Sequence, residues 1–212
     1  RDLSFHLFKL LKQEELDTLC DVTKKIKKRV QEYNFKHKTF KSDEEIVHAN
    51  QHKIRKLCVV HTDLVDFSPY TNLTHLHFLP ACNQQVKNLP KTLRYVYFST
   101  SYNHPLPVLP KQLLYLGVPN RRFNNVILCP DNLWCLELGS GFDKEENLVN
   151  VPKSLKKIQV NESLWDRIKH KKNMRHIQEV KLWYYPPHRH AGRMSSGRPI
   201  KLSNWKQVKE AQ

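Results

Sequence analysis

The sequence predicts an α+β chain in which a short helical module leads into a parallel β solenoid. Three observations carry that prediction. A repeat of 20–22 residues runs through the middle of the 212-residue chain, each repeat opens on an apolar triplet, and a helical apolar period precedes them. Apolar residues make up 39% and aromatic residues 10%, enough for a core. No apolar run reaches the length of a bilayer span. The stretch Leu3–Leu11 is interrupted by His6 and Lys9, unlike a signal peptide. The first residue is Arg rather than Met, which reads as a start inside a longer product.

Residues 1–30 form the helical module. Leu3, Leu7, Leu10 and Leu11 share one helical face; after a break near Gln13 come Leu16, Leu19 and Cys20, then Val22, Ile26 and Val30. So small a module cannot bury these faces alone, so they must pack on the repeats or on another protein. Residues 31–53 read as a connector, with Ser42-Asp43-Glu44-Glu45 a helix start.

The repeats occupy residues 54–182. From Thr71 the chain divides into units of 20, 20, 20 and 22 residues, each ending in Pro: Pro90, Pro110, Pro130 and Pro152. The triplets are Leu73, Leu76, Phe78; Leu93, Val96, Phe98; Leu113, Leu116, Val118; Leu133, Leu136, Leu138; and Leu155, Ile158, Val160. Weaker ones flank them at Ile54, Leu57, Val59 and at Ile177, Val180, Leu182. The alternation within each triplet is that of a short strand with one buried face. A unit of this size cannot bury that face alone, so neighbours must stack and share a core. The boundary Pro fixes φ where the chain turns into the next strand. Asn83, Asn103 and Asn124 in the return segments are expected to point inward and satisfy turn backbone, beside Val86, Leu106 and Val126. The result is a leucine-rich-repeat-like solenoid.

In such strands the positions between the triplet residues face outward. They are Thr74, His75, His77; Arg94, Tyr95, Tyr97; Leu114, Tyr115, Gly117; Trp134, Cys135, Glu137; and Lys156, Lys157, Gln159. Equivalent positions stack about 4.8 Å apart. His75, His77, Arg94, Tyr95, Tyr97, Tyr115, Trp134, Lys156 and Lys157 are therefore the candidate target-binding residues, because exposed Tyr, Trp and Arg are the composition of binding hot spots. The same aromatics also raise strand stability by neighbour packing.

Formal charge is +16, and residues 153–212 alone carry +11. Residues 183–212 mix aromatics and basic residues with Pro, Gly and Ser, and read as a flexible tail that could stack on single-stranded RNA. Catalysis finds no support: no G-x-S-x-G, H-E-x-x-H or glycine-rich phosphate loop is present. Cys135 and His75 would stand three units apart, about 14 Å, too far for a nucleophile and its base. Five cysteines with no CxxC pair read as buried thiols of a reducing compartment, and Cys58-x-x-His61 is the nearest approach to a metal-ligand pair. No enzyme activity, cofactor or metal is expected.

Two family resemblances follow. Tyr102-Asn103-His104-Pro105, Phe123-Asn124-Asn125-Val126 and the weaker Cys82-Asn83-Gln84-Gln85, with the boundaries Leu89-Pro90-Lys91-Thr92-Leu93 and Leu109-Pro110-Lys111-Gln112-Leu113, resemble the FNIP repeats over residues 54–182. The N-terminal pattern L-x(3)-L-F-x-L-L-x(3)-E-L-x-x-L-C-x-V-T-K resembles an F-box. That resemblance implies docking to the Skp-family adaptor of a cullin-RING ubiquitin ligase through Leu3, Leu7, Phe8, Leu10, Leu11, Leu16, Leu19 and Val22. The chain would then be a substrate receptor for a target protein. The alternative roles are a cap on the first repeat, and an RNA- or translation-associated module using the basic end. The architecture is typical of amoebae and the giant viruses that infect them. It implies a cytoplasmic protein without membrane attachment, in the host cytoplasm if viral.

Overall fold

The computed structural model describes residues 24–60 and 63–183. The expected adaptor-binding residues Leu3 to Val22 and nearly all of the basic tail lie outside them. Within them the chain is mixed α/β, with few helices and one dominant parallel sheet. Helix α1 spans Lys24–His37, followed by β1 (Phe40–Lys41), α2 (Glu45–Ala49), β2 (Lys56–Val59), β3 (His75–Phe78), β4 (Tyr95–Tyr97) and β5 (Tyr115–Val118). Next come β6 (Ile127–Leu128), β7 (Cys135–Leu138), β8 (Leu148–Val149), β9 (Lys157–Asn161), α3 (Glu162–Ile168) and β10 (Glu179–Trp183). Eight strands lie side by side in the order β1-β2-β3-β4-β5-β7-β9-β10, and β6 with β8 forms a separate parallel pair.

Each strand forms because its triplet alternates. Leu57, Leu76, Val96, Leu116, Leu136 and Ile158 are partners in register, and each is buried. The first triplet position enters through a tight turn: the N–H groups of Leu93, Leu113, Leu133 and Leu155 donate to the carbonyls of Pro90, Pro110, Pro130 and Pro152. Tyr70 and Met174 take the same place before Leu73 and Ile177, so proline is the commonest but not the only residue that fits there. A second turn follows the strand, closed by the N–H groups of Cys82, Tyr102, Phe123 and Phe142. It drives those four side chains inside, each at most 3% exposed. There Phe123 lies stacked on Phe142, and Phe98 packs on Tyr102.

That inward step corrects the expectation for the return-segment asparagines. In extended chain neighbouring side chains take opposite faces, so the aromatic that goes in sends the next residue out. Asn83 and Asn103 are exposed and Asn124 is half-buried. They still bond between units: Asn83 Oδ1 accepts from the Asn103 N–H at 3.1 Å, and Asn124 Nδ2 donates to Asp143 at 2.7 Å. Val126, expected inside, is 56% exposed, and Ile127 is buried in its place. Among the buried polar groups, Ser99 and Asn120 donate to the carbonyls of Pro80 and Tyr102 in the preceding unit. Close packing of units also explains Gly141, where a Cβ would meet the Arg121 carbonyl.

The residues expected to be a connector carry more structure than that reading gave them. Helix α1 crosses the expected boundary at residue 30, and β1 pairs in parallel with β2, Phe40 opposite Leu57. Phe40 is buried and stacks on Phe35 at 5.4 Å. The longer units have local causes. Between Leu133 and Leu155 the chain makes a 3-10 turn at Glu145–Asn147 and holds Asn150 at φ 56°, a left-handed conformation asparagine tolerates. Between Leu155 and Ile177 it inserts α3, capped by Asn161, whose side chain accepts from the Leu164 N–H at 2.7 Å.

The alternation makes a register test. Leu116→Ala should cost about 2–5 kcal/mol of stability in urea unfolding, whereas Leu114→Ala, 42% exposed, should stay within about 0.5 kcal/mol. The reverse ranking would mean that the strand presents its other face.

Candidate functional site

The outward face of the sheet gathers the predicted target-binding residues. One row runs Lys56, His75, Tyr95, Tyr115, Cys135, Lys157, Glu179, each the register partner of the next. A second runs Cys58, His77, Tyr97, Gly117, Glu137, Gln159, Lys181. Ahead of both, at the strand entries, stand Arg55, Thr74, Arg94, Leu114, Trp134 and Lys156. Each of these six carbonyls accepts from two successive N–H groups of the following unit, as Arg94 does from Leu114 and Tyr115 at 2.8 and 3.0 Å.

In the first row His75 stacks on Tyr95 with ring centroids 5.7 Å apart, and Tyr95 on Tyr115 at 4.2 Å with planes 11° apart. The rings thus cover one another's faces and turn their edges outward. In the second row His77 meets Tyr97 edge-on at 5.1 Å. Where the adjoining units carry tyrosine and glutamate, the third carries Gly117. A Cβ there would run into the Tyr97 ring, so glycine lets that ring lie over the backbone. Tyr97 can then reach two strands along and donate to Glu137 Oε1 at 3.4 Å, while Tyr115 donates to Oε2 at 2.7 Å. Neither Glu137 nor Gly117 was singled out from the sequence. The signal was an acidic side chain and a glycine among outward positions that are mostly aromatic or basic.

Around Glu137 the phenols, the thiol and the imidazoles of the surface are uncharged. Burial first, and then Glu137, pushes the Tyr115 and Tyr97 hydroxyls well above the ordinary phenol range. The Cys135 thiol is pushed up to about 11, by burial and then by Glu137. Burial holds His77 below its usual value; burial and then Lys56 do the same for His75. Both imidazoles are therefore uncharged at pH 7. The Thr74 hydroxyl donates to the Arg55 carbonyl at 3.0 Å, so its 2.9 Å contact with His75 Nδ1 needs the ring to donate there. That tautomer leaves Nε2 as an acceptor.

Further charge lies at the two ends. Lys157 sits over the Trp134 ring at 4.9 Å and pairs with Glu179, and Trp134 is 46% exposed. At the other end a depression is lined by Arg55, Asn72, Thr74, His75, Thr92, Arg94 and Gln112. Trp183, counted with the tail from sequence, belongs to β10, and its indole donates to the Leu138 carbonyl at 2.6 Å. Cys135 and His75 stand three strands apart. Among the described residues no three His, Cys, Asp or Glu side chains converge as metal ligands would, and no helix is long and apolar enough to cross a membrane.

Glu137→Gln removes the negative charge that opposes ionisation of both phenols. In a tyrosinate absorbance titration Tyr97 and Tyr115 should then ionise at lower pH than in the unsubstituted chain, yet still above free tyrosine because burial remains. An unchanged curve would mean that the hydroxyls do not face this carboxylate.

Compared with protein-family models, with curated proteins and with solved structures, the chain matches none, and the chemistry of this surface is what bears on its function.

Proposed function

We propose that the chain is a non-catalytic protein-recognition module, a substrate receptor of a cullin-RING ubiquitin ligase. In this reading the units form a leucine-rich-repeat-like solenoid of the FNIP type. Residues 1–30 act as an F-box that docks on the Skp-family adaptor through Leu3, Leu7, Phe8, Leu10, Leu11, Leu16, Leu19 and Val22. The target protein lies on the outward sheet face, and the chain's work is to hold it at high effective concentration near the ubiquitin carrier. The resemblance of the N-terminal pattern supports the adaptor half; the arrangement of the rings supports the target half.

That arrangement is the observation that carries the reading. Binding of single strands without sequence preference needs aromatic faces on which bases can lie. Here the faces of Tyr95 and Tyr115 are turned to each other, and Lys157 lies over one face of Trp134. What the surface offers is ring edges, the exposed Leu114 and Trp134, and charged ends, which suit side chains of a protein partner. The +11 carried by residues 153–212 favours a second reading, an RNA- or translation-associated module working through that basic end.

The two readings part in one preparation. Leu7→Asp with Leu11→Asp should abolish co-purification of the adaptor from amoebal extract while leaving the circular dichroism spectrum unchanged; retained adaptor would remove the F-box assignment. RNA capture that falls steeply with salt, and loses that slope when residues 183–212 are deleted, would establish the second reading instead.

A further inference from the structure

The two ends of the outward face differ in how their charge is balanced. At the β9–β10 end Lys157 has Glu179 as its partner. At the β2–β4 end, among the described residues, no carboxylate pairs with Arg55 or Arg94, and the depression they border is lined by no Asp or Glu. Both arginines are exposed. They leave the sheet from strand entries two strands apart, about 10 Å at the backbone, a gap that two long side chains can close over one group. Between them lie Thr74 and His75, with Gln112 at the rim.

The polar groups already in the depression sharpen what it can accept. Thr92 and Thr74 spend their hydroxyl protons on backbone carbonyls, Thr92 on Leu73 at 2.8 Å and Thr74 on Arg55. Asn72 donates to the His52 carbonyl at 2.6 Å. The uncommitted donors are therefore the two guanidinium forks, the Gln112 amide and the second N–H of Asn72. His75 adds its Nε2, which becomes a donor once an anion stabilises the imidazolium. Planar forks of this kind match the oxygens of a carboxylate or a phosphate two at a time.

We propose that this depression is an anion-binding subsite that takes the carboxylate or phosphate group of an acidic peptide segment in the target. This rests on the protein-recognition reading above. A peptide fits the position because the subsite opens onto the His75–Tyr95–Tyr115 stack, whose edges and the neighbouring Leu114 receive side chains and whose faces are closed to bases. The charge complementarity is local: it needs the two arginines and not the net charge of the chain.

The test uses the full chain and three fluorescein-labelled probes in an anisotropy titration: a glutamate-rich peptide, a glutamine-rich peptide with one central phosphoserine, and oligouridine. At least one peptide should bind, and Arg55→Gln with Arg94→Gln should weaken it by about tenfold or more. Which peptide responds tells carboxylate from phosphate. Lys144→Gln with Lys172→Gln removes the same net charge from exposed positions elsewhere, and should change peptide affinity by less than about twofold. The proposal is overturned if neither peptide binds, if both double variants weaken binding equally, or if the arginine pair governs oligouridine binding and not the peptides. None of these titrations involves the adaptor, so failure here leaves the F-box assignment standing and failure there leaves the subsite standing.

Discussion

At the entry to each strand, one carbonyl oxygen receives the N–H groups of two successive residues in the next unit, six times in succession from Arg55 to Lys156. This paired acceptance fixes which residue lies beside which before the ladder proper begins. In a parallel sheet a slip of one residue would turn every buried side chain outward, so the rest of the molecule depends on it. The buried rows through Leu76, Val96, Leu116 and Leu136 follow from it. So does the second turn that brings Tyr102, Phe123 and Phe142 into the core.

The same constraint makes the outward face. Because units differ by whole repeats, like positions fall beside like positions, and tyrosines one repeat apart come into ring contact. The exception is informative. Gly117 interrupts the second row, and the space it leaves is taken by the Tyr97 ring on its way to Glu137. Two hydroxyls then converge on one carboxylate from different strands, which ties the middle of the face together across β4, β5 and β7. A surface held this way is organised before any partner arrives, so less ordering entropy opposes binding.

What could be read from the sequence divides along physical lines. The triplets announced the buried rows because alternation and a fixed period are both visible in one dimension. The rows of outward residues followed from the period alone, as His75, Tyr95 and Tyr115 illustrate. The first strand was not legible: Phe40–Lys41 is two residues long and has no triplet, and it belongs to the sheet only because Phe40 finds Leu57. The asparagines were misdirected because the inside place was given to Asn103 and its equivalents, whereas the preceding residue, as at Tyr102, takes it, and only one of the two can face the core. Glu137 was visible as an outward residue, but its two phenol partners come from other units through a tyrosine that crosses a glycine. No local pattern encodes that path. Trp183 looked like tail because its partner, the Leu138 carbonyl, is two units away.

The central claim is that the outward sheet face receives a protein, and site-specific photo-crosslinking addresses it most directly. A benzophenone amino acid would replace Trp134 on that face or, in a separate chain, the 92% exposed Val108 on the return side. Both chains would be irradiated in cell extract, with and without RNase. The account predicts a discrete protein adduct at position 134 that survives RNase and is missing at position 108. Adducts of equal yield at both positions, or an adduct at 134 that disappears with RNase, would contradict it.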